Sequence, residues 1–256
     1  MLDIKQIESF YPKYLRQFKR NLLREYLQYK ILEIIFSSDY GNKLSFMGGT
    51  AIHIIHSNTR FSEDLDFDNL GLDKKDFEKL SAFIQRRLRL EGYDIEAETS
   101  FKGAFRLYVG IKGLLYENGL SYHKREKLFI YIDMEPQNFS YHPDKIILNK
   151  FGIFSRINVV PLDILLAQKL YAIFMRKRAM GRDFYDTIFL FGRTRPNIEY
   201  LRKKMKIKDM ADLKSRILRK CDALNFKNLV SDVEQFLFMP EDAKKILLFP
   251  EYIKKI

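Results

Sequence analysis

Residues 46–68 read FMGGTAIHIIHSNTRFSEDLDFD, and the fold turns on how this stretch is read. The residues leading into it, Leu44-Ser45-Phe46-Met47, make a short apolar run of the length of a buried strand. Gly48-Gly49-Thr50 follows, then a short helical run over Ala51–His56 and a polar turn. The stretch closes on Asp64-Leu65-Asp66-Phe67. A strand sends alternate side chains to opposite faces, so Asp64 and Asp66 share one face while Leu65 and Phe67 enter the core. Two neighbouring carboxylates repel each other unless positive charge lies between them. The usual partner is a divalent cation with oxygen ligands, Mg²⁺ above all. Glycine lets the backbone come close to a ligand, and the N–H groups that open a helix favour an anion such as phosphate. Paired glycines alone are an ordinary turn, and acid–apolar–acid alone is an ordinary exposed strand. The two in this order make a phosphate cradle and a carboxylate pair, the equipment of metal-dependent phosphoryl or nucleotidyl transfer.

Working outward, Tyr11–Phe36 shows an approximate helical stripe and predicts one long helix, ended by the turn residues 37–42. Asp73–Leu90 predicts a second helix, with Asp73 as N-cap, Phe77, Leu80, Ile84 and Leu88 as core face, and Gly92 as C-cap. The period then changes. Ile95–Thr99, Ala104–Ile111 and Leu128–Met134 read as strands, Lys112–Lys127 as a loop or long turn, and Asn138–Ser155 as an irregular stretch with a short strand. Ile157–Val160 is a last short strand. Pro161 opens a helix over Leu162–Arg178, Arg182 opens another to Phe191, and helices follow over Glu199–Lys206, Met210–Leu224 and Phe226–Phe238. Strands thus gather before residue 160 and helices after it. The expectation is an α+β chain, with a mixed-sheet domain over 1–160, including an N-terminal helix, and a helical domain over 161–256.

The 256 residues carry a net charge of +12, which favours a polyanionic partner such as nucleic acid. A single cysteine, Cys221, excludes an internal disulfide framework and a cysteine zinc site, and its helical setting reads as inert. No apolar run approaches a membrane span and the N-terminus lacks a signal-peptide core, so a cytoplasmic protein with no membrane partner is expected.

The run GGTAIHIIHSNTRFSEDLDF, residues 48–67, closely resembles the first motif of the AbiEii/AbiGii-type nucleotidyltransferases, many of them toxins of toxin–antitoxin pairs. These belong to the DNA polymerase β-like superfamily. A second resemblance is VVPLDILLAQKLYA, residues 159–172, followed by RDFYD, residues 182–186. It looks like the family's later motifs, a helix carrying a lysine and then RD-x-x-D. The resemblance implies a polymerase β-like nucleotidyltransferase domain followed by helices. It implies that Asp64 and Asp66 hold two Mg²⁺ ions, with Mn²⁺ as a substitute, and that a third acid stands on a neighbouring strand. Asp133, late in the apolar strand 128–134, is the candidate, as metal ligand or base.

Gly48, Gly49 and Thr50 would face the nucleotide. Arg60 would either bind the triphosphate or brace the loop by pairing with an acid. Lys169 maps onto the motif lysine and would neutralise phosphate charge, and Asp183 maps onto the first acid of the later motif. His53 and His56 read as packed or surface side chains, and Asp68, which continues the same face and could be a third ligand, reads as an ordinary acid where the strand should end. The implied reaction moves a nucleoside monophosphate from an NTP to an acceptor, RNA or tRNA, under the control of an antitoxin. The rival readings are an antibiotic-type enzyme that modifies a small molecule and a nucleotide- or RNA-binding protein without transfer activity.

Overall fold

The computed structural model describes residues 2–101 and 103–255. The chain divides into two compact units. One comprises Met1–Ala51 with Ser62–Val160, and the other Ile52–Phe61 with Pro161–Ile256.

The first unit begins with helix α1 (Ile4–Ser9), closed at its start by a capping box in which Asp3 and Gln6 satisfy each other's backbone N–H groups. The helix expected over Tyr11–Phe36 is shorter in the structure. Pro12 lacks an N–H and disfavours helical backbone in the residue before it, so a single 3₁₀ turn (Lys13–Leu15) intervenes and α2 runs over Lys19–Phe36. Strand β1 (Leu44–Met47), α3 (Gly48–His56), β2 (Leu65–Asn69) and α4 (Lys74–Leu90) follow. Asp73 caps α4 by accepting the Asp76 N–H, and Gly92 takes the left-handed backbone that ends it. The remaining strands are β3 (Ile95–Ser100), β4 (Phe105–Ile111), β5 (Leu128–Glu135), β6 (Asp144–Lys150) and β7 (Ile153–Val159), with a short helix α5 (Leu114–Glu117) in the stretch expected as loop.

Among the described residues the strands form one seven-stranded mixed sheet in the order β3-β4-β5-β2-β1-β7-β6. β2 lies parallel to β5 and antiparallel to β1, while β1 lies parallel to β7. Helix α2 packs on β5 and β7 and α4 on β3 and β4, and Leu22, Leu27, Ile31, Phe77, Leu80 and Ile84 of the helices are buried, as are Leu107, Val109, Ile130 and Ile132 of the strands.

The irregular stretch expected over 138–155 is instead the β6–β7 hairpin. Its two-residue turn, Phe151-Gly152, has positive φ at both positions (59° and 75°), the twist that matches antiparallel strands. Phenylalanine is an unusual choice there. Its ring is buried against Phe10, Tyr11, Tyr26 and Tyr29, and that burial offsets the strained backbone.

The second unit holds α6 (Leu162–Met175), α7 (Gly181–Phe191), α8 (Ile198–Met205), α9 (Met210–Asp222), α10 (Phe226–Glu234) and α11 (Phe249–Lys255). Residues 52–61 join it through paired backbone. Phe61 N–H donates to the Phe236 carbonyl at 2.8 Å and Phe238 N–H to the Thr59 carbonyl at 3.1 Å. Gly181 opens α7 where a Cβ would sit 2.0 Å from the Leu229 carbonyl oxygen, so only glycine allows this approach to α10. Cys221 is buried on α9 and its thiol is pushed up to about 11, an unreactive thiol at neutral pH. Among the described residues no helix is long and apolar enough to cross a membrane.

Candidate active site

The first group of charged residues lies in the sheet unit. Leu65 and Phe67 are fully buried, while Asp66 between them is only partly covered, as alternation along β2 requires. Asp64 stands one residue before β2 begins, so its direction is set by the entry turn and not by the pleat. That turn is held from two sides. The Gln28 amide on α2 donates to the carbonyls of Ser62 and Glu63 at 3.0 and 2.9 Å, and the buried Thr50 hydroxyl donates to the Asp64 carbonyl. Thr50 therefore spends its side chain on the loop.

The parallel pairing of β2 and β5 sets Asp66 directly opposite Asp133. Antiparallel pairing of β4 and β5 sets Arg106 opposite Asp133 on the other side. Arg106 Nε is 3.5 Å from Asp133 Oδ1, and the two side chains are 36% and 38% exposed. Asp133 Oδ1 is itself buried, and the contact from Arg106 is too long for a strong hydrogen bond. Burial raises the Asp133 pKa, and the charge of Arg106 opposes it without cancelling it.

Gly48 opens α3 with φ of +79°, and a Cβ there would lie 2.2 Å from Asp66 Oδ2. The glycine is thus required twice, for its backbone and for the space that the Asp66 carboxylate fills. Asp68 is different in kind. It is buried, and its oxygens accept the Gln137 N–H and the Tyr141 hydroxyl, each at 2.8 Å, so it ties β2 to the segment after β5.

Among the described residues no three His, Cys, Asp or Glu side chains are gathered into a cage for a metal ion. Magnesium does not need one, since it is commonly held by one or two carboxylates together with substrate phosphates and water. The paired Asp66 and Asp133, the latter met by a long contact from Arg106, fit that mode.

The second group lies in the helical unit. Arg60 is 2% exposed and Asp186 is fully buried. Arg60 Nε and Nη2 each donate to an Asp186 oxygen at 2.6 Å, and Nη1 donates to the Phe61 carbonyl at 3.0 Å. Arg60 therefore braces its loop by pairing with an acid. Asn58 donates to the same carboxylate at 2.8 Å, and Lys169 Nζ lies 2.9 Å from it and 3.4 Å from Asp183. Arg176 Nε is 2.9 Å from the other Asp183 oxygen. Burial would raise the Asp186 pKa, but the charges of Arg60 and Lys169 outweigh it and hold the carboxyl below its ordinary range. His53 packs between the rings of Phe61 and Phe238 with Nδ1 on the Asn58 carbonyl, a structural histidine.

The sheet unit thus brings together Gly48, Asp66 and Asp133, and the helical unit brings together Arg60, Lys169, Asp183 and Asp186. Arg106 escaped the sequence reading. Its place opposite Asp133 follows from strand register, which pattern alone does not reveal.

No curated protein matches this chain. Two solved structures share its fold. A Helicobacter pylori structure, JHP933, is 19% identical with a TM-score of 0.57, covering 92% of each chain. Another from H. pylori, described as a candidate nucleotidyltransferase, is 19% identical with a TM-score of 0.58, covering 92% of this chain and 95% of that one. The family model for the nucleotidyl transferase AbiEii toxin of type IV toxin–antitoxin systems matches residues 30–247. That match spans both motif regions and most of the chain, and it shows that the protein belongs to the AbiEii family of nucleotidyl transferase toxins.

Proposed function

We propose that this nucleotidyltransferase moves a nucleoside monophosphate from an NTP onto an RNA acceptor, tRNA included, and acts as the toxin checked by a separately encoded antitoxin. The observation that carries the reading is the pair Asp66–Asp133, in register on parallel strands beside Gly48. Asp66 and Asp133 are the residues proposed to hold Mg²⁺ or Mn²⁺, with Asp64, at the entry to β2, the further ligand that the family motif implies. When bound, the metal would neutralise triphosphate charge and make the acceptor hydroxyl more acidic.

The N–H groups of Gly48, Gly49 and Thr50 open α3 and are the proposed seat of triphosphate oxygens. The acceptor hydroxyl oxygen bonds to the α-phosphorus, the α–β phosphoanhydride bond breaks, and pyrophosphate leaves. Asp133, beside the proposed metal site, is the residue proposed to take the hydroxyl proton. Lys169, the lysine of the family's later motif, is proposed as a residue that answers phosphate charge, its ammonium held in the helical unit by Asp186 at 2.9 Å and Asp183 at 3.4 Å. The sheet unit is the proposed catalytic domain, and the net charge of +12 supports a polyanionic acceptor.

Incubation with each of the four labelled NTPs, Mg²⁺ and total cellular RNA tests the reading. Label should enter RNA with release of pyrophosphate, and excess EDTA should stop it. Full transfer in EDTA, or label passing only to small molecules, would overturn it.

A further inference from the structure

Strand β5 alternates strictly. Leu128, Ile130, Ile132 and Met134 are buried, while Phe129, Tyr131, Asp133 and Glu135 look out from the opposite face. That face therefore carries two large aromatic rings, each 41% exposed, in line with Asp133. A monomeric surface gains nothing from exposing rings in a row unless they cover something or receive something.

Their arrangement is that of a platform. Phe129 and Tyr131 lie with ring planes 16° apart and centroids 6.1 Å apart, so the two faces are nearly parallel. Tyr108, opposite Tyr131 in register, props that ring edge-on at 5.4 Å. Gly110 stands opposite Phe129, and a Cβ there would come within 2.9 Å of the Phe129 ring. The missing side chain lets the ring lie down on β4 and leaves its other face to solvent.

The charge around the platform is suited to a polyanion. The segment entering β5 reads Tyr122-His123-Lys124-Arg125, all exposed, with Tyr122 wholly so. Arg20, Arg24 and Lys127 line a cavity of about 340 Å³ together with Phe129, Tyr131, Glu63 and Glu126. Arg20 is paired with Glu126, Arg24 with Glu63 and Lys127 with Glu96, so the positive charge offered to a ligand comes from Lys124 and Arg125. Aromatic faces flanked by basic side chains take single-stranded nucleic acid, because every base has a face to stack and every linkage carries a charge. Duplex RNA keeps its bases stacked inside and offers no such face.

We propose that Phe129 and Tyr131 form a stacking platform for a single-stranded segment of the acceptor RNA, running along β5 from the basic segment 122–127 toward Asp133. The platform rests on the transfer reading above for its purpose. Each step of two residues along β5 advances about 6.6 Å, so a base on Tyr131 lies one step from Asp133. The specificity that follows is for unpaired ends or loops over helices, with little preference among bases.

The test uses the full chain in EDTA without NTP, so that binding is read apart from chemistry. A fluorescein-labelled oligouridine and an RNA duplex of equal length are titrated at one fixed salt concentration, since such affinities depend steeply on salt. The single strand should bind more tightly than the duplex. Phe129→Leu and Tyr131→Leu should each weaken it about tenfold, while Phe129→Tyr stays near the wild type. The chain has no tryptophan, so Phe129→Trp adds a lone fluorophore that a stacked base should quench. That variant keeps an aromatic ring and decides the matter even if a leucine variant fails to fold.

Equal affinity of the leucine variants, no preference for the single strand, or a tryptophan left bright under bound oligonucleotide would overturn the platform. Tight, ring-dependent binding by a protein that transfers nothing would strike the proposed reaction and leave the platform standing. Normal RNA labelling by both leucine variants would do the reverse.

Discussion

The two charged groups of this protein are built to opposite rules. In the helical unit, Arg60 and Asp186 are sealed from water and meet through two bonds of 2.6 Å, with Asn58 and Lys169 completing the carboxylate's shell. In the sheet unit, Arg106 and Asp133 are more than a third exposed and 3.5 Å apart. The closed network holds a loop in shape, and the open one keeps capacity in reserve. Local coordination thus separates a sealed acid from a half-exposed one, although both are aspartates beside an arginine.

Asp186→Ala is the severest way to break the contrast. It leaves Arg60 buried without its partner, and urea unfolding should show a loss of about 3–5 kcal/mol. Gly48→Ala comes next. Its left-handed backbone costs about 1–2 kcal/mol, the new Cβ displaces the Asp66 carboxylate, and RNA labelling should fall to background in protein that still folds. Arg106→Gln should move the unfolding midpoint little, within about 1 kcal/mol, because half-exposed pairs contribute weakly. A loss as large as that of Asp186→Ala would erase the distinction.

Asp133→Asn should be the mildest in stability, level with or above the wild type without metal, while transfer is lost. The pH dependence separates the two acids by sign. Asp186 has a lowered folded pKa, so its stabilisation is present above the unfolded value of about 3.9 and is lost as pH falls through the folded value. Asp133 has a raised one, so its contribution is present below about 3.9 and is lost as pH rises through the folded value. Comparing each asparagine variant with the wild type across pH 2–7 by thermal melting should give slopes of opposite sign.

Much of the sheet unit was legible in the sequence because its signals are local. Apolar runs of strand length, the Asp73 cap and Gly92 need only neighbours to be read, and β1, α4, β4 and β5 lie close to where pattern puts them. The β6–β7 hairpin was not legible, because its turn is Phe-Gly and depends on aromatic rings far away in the chain to hold a phenylalanine at positive φ. The same holds within the charged groups. Asp64-Leu65-Asp66 is visible as a motif, but that Arg106 faces Asp133 is a matter of register. That Arg60 is spent on Asp186 needs a contact across 126 positions, which no spacing rule contains.

That long reach bears on how the protein comes off the ribosome. Residues 52–61 are made early, yet they belong to a unit whose other residues begin at Pro161. At about 5–20 residues per second, Arg60 waits roughly 6–25 seconds for Asp186 to be translated. Through that interval the nascent chain carries an unanswered guanidinium, and its first motif is tethered to a segment that has nothing yet to fold upon. A protein cut short by a stalled ribosome would end in that state, so a toxin arranged in this way is finished only when its last helices are.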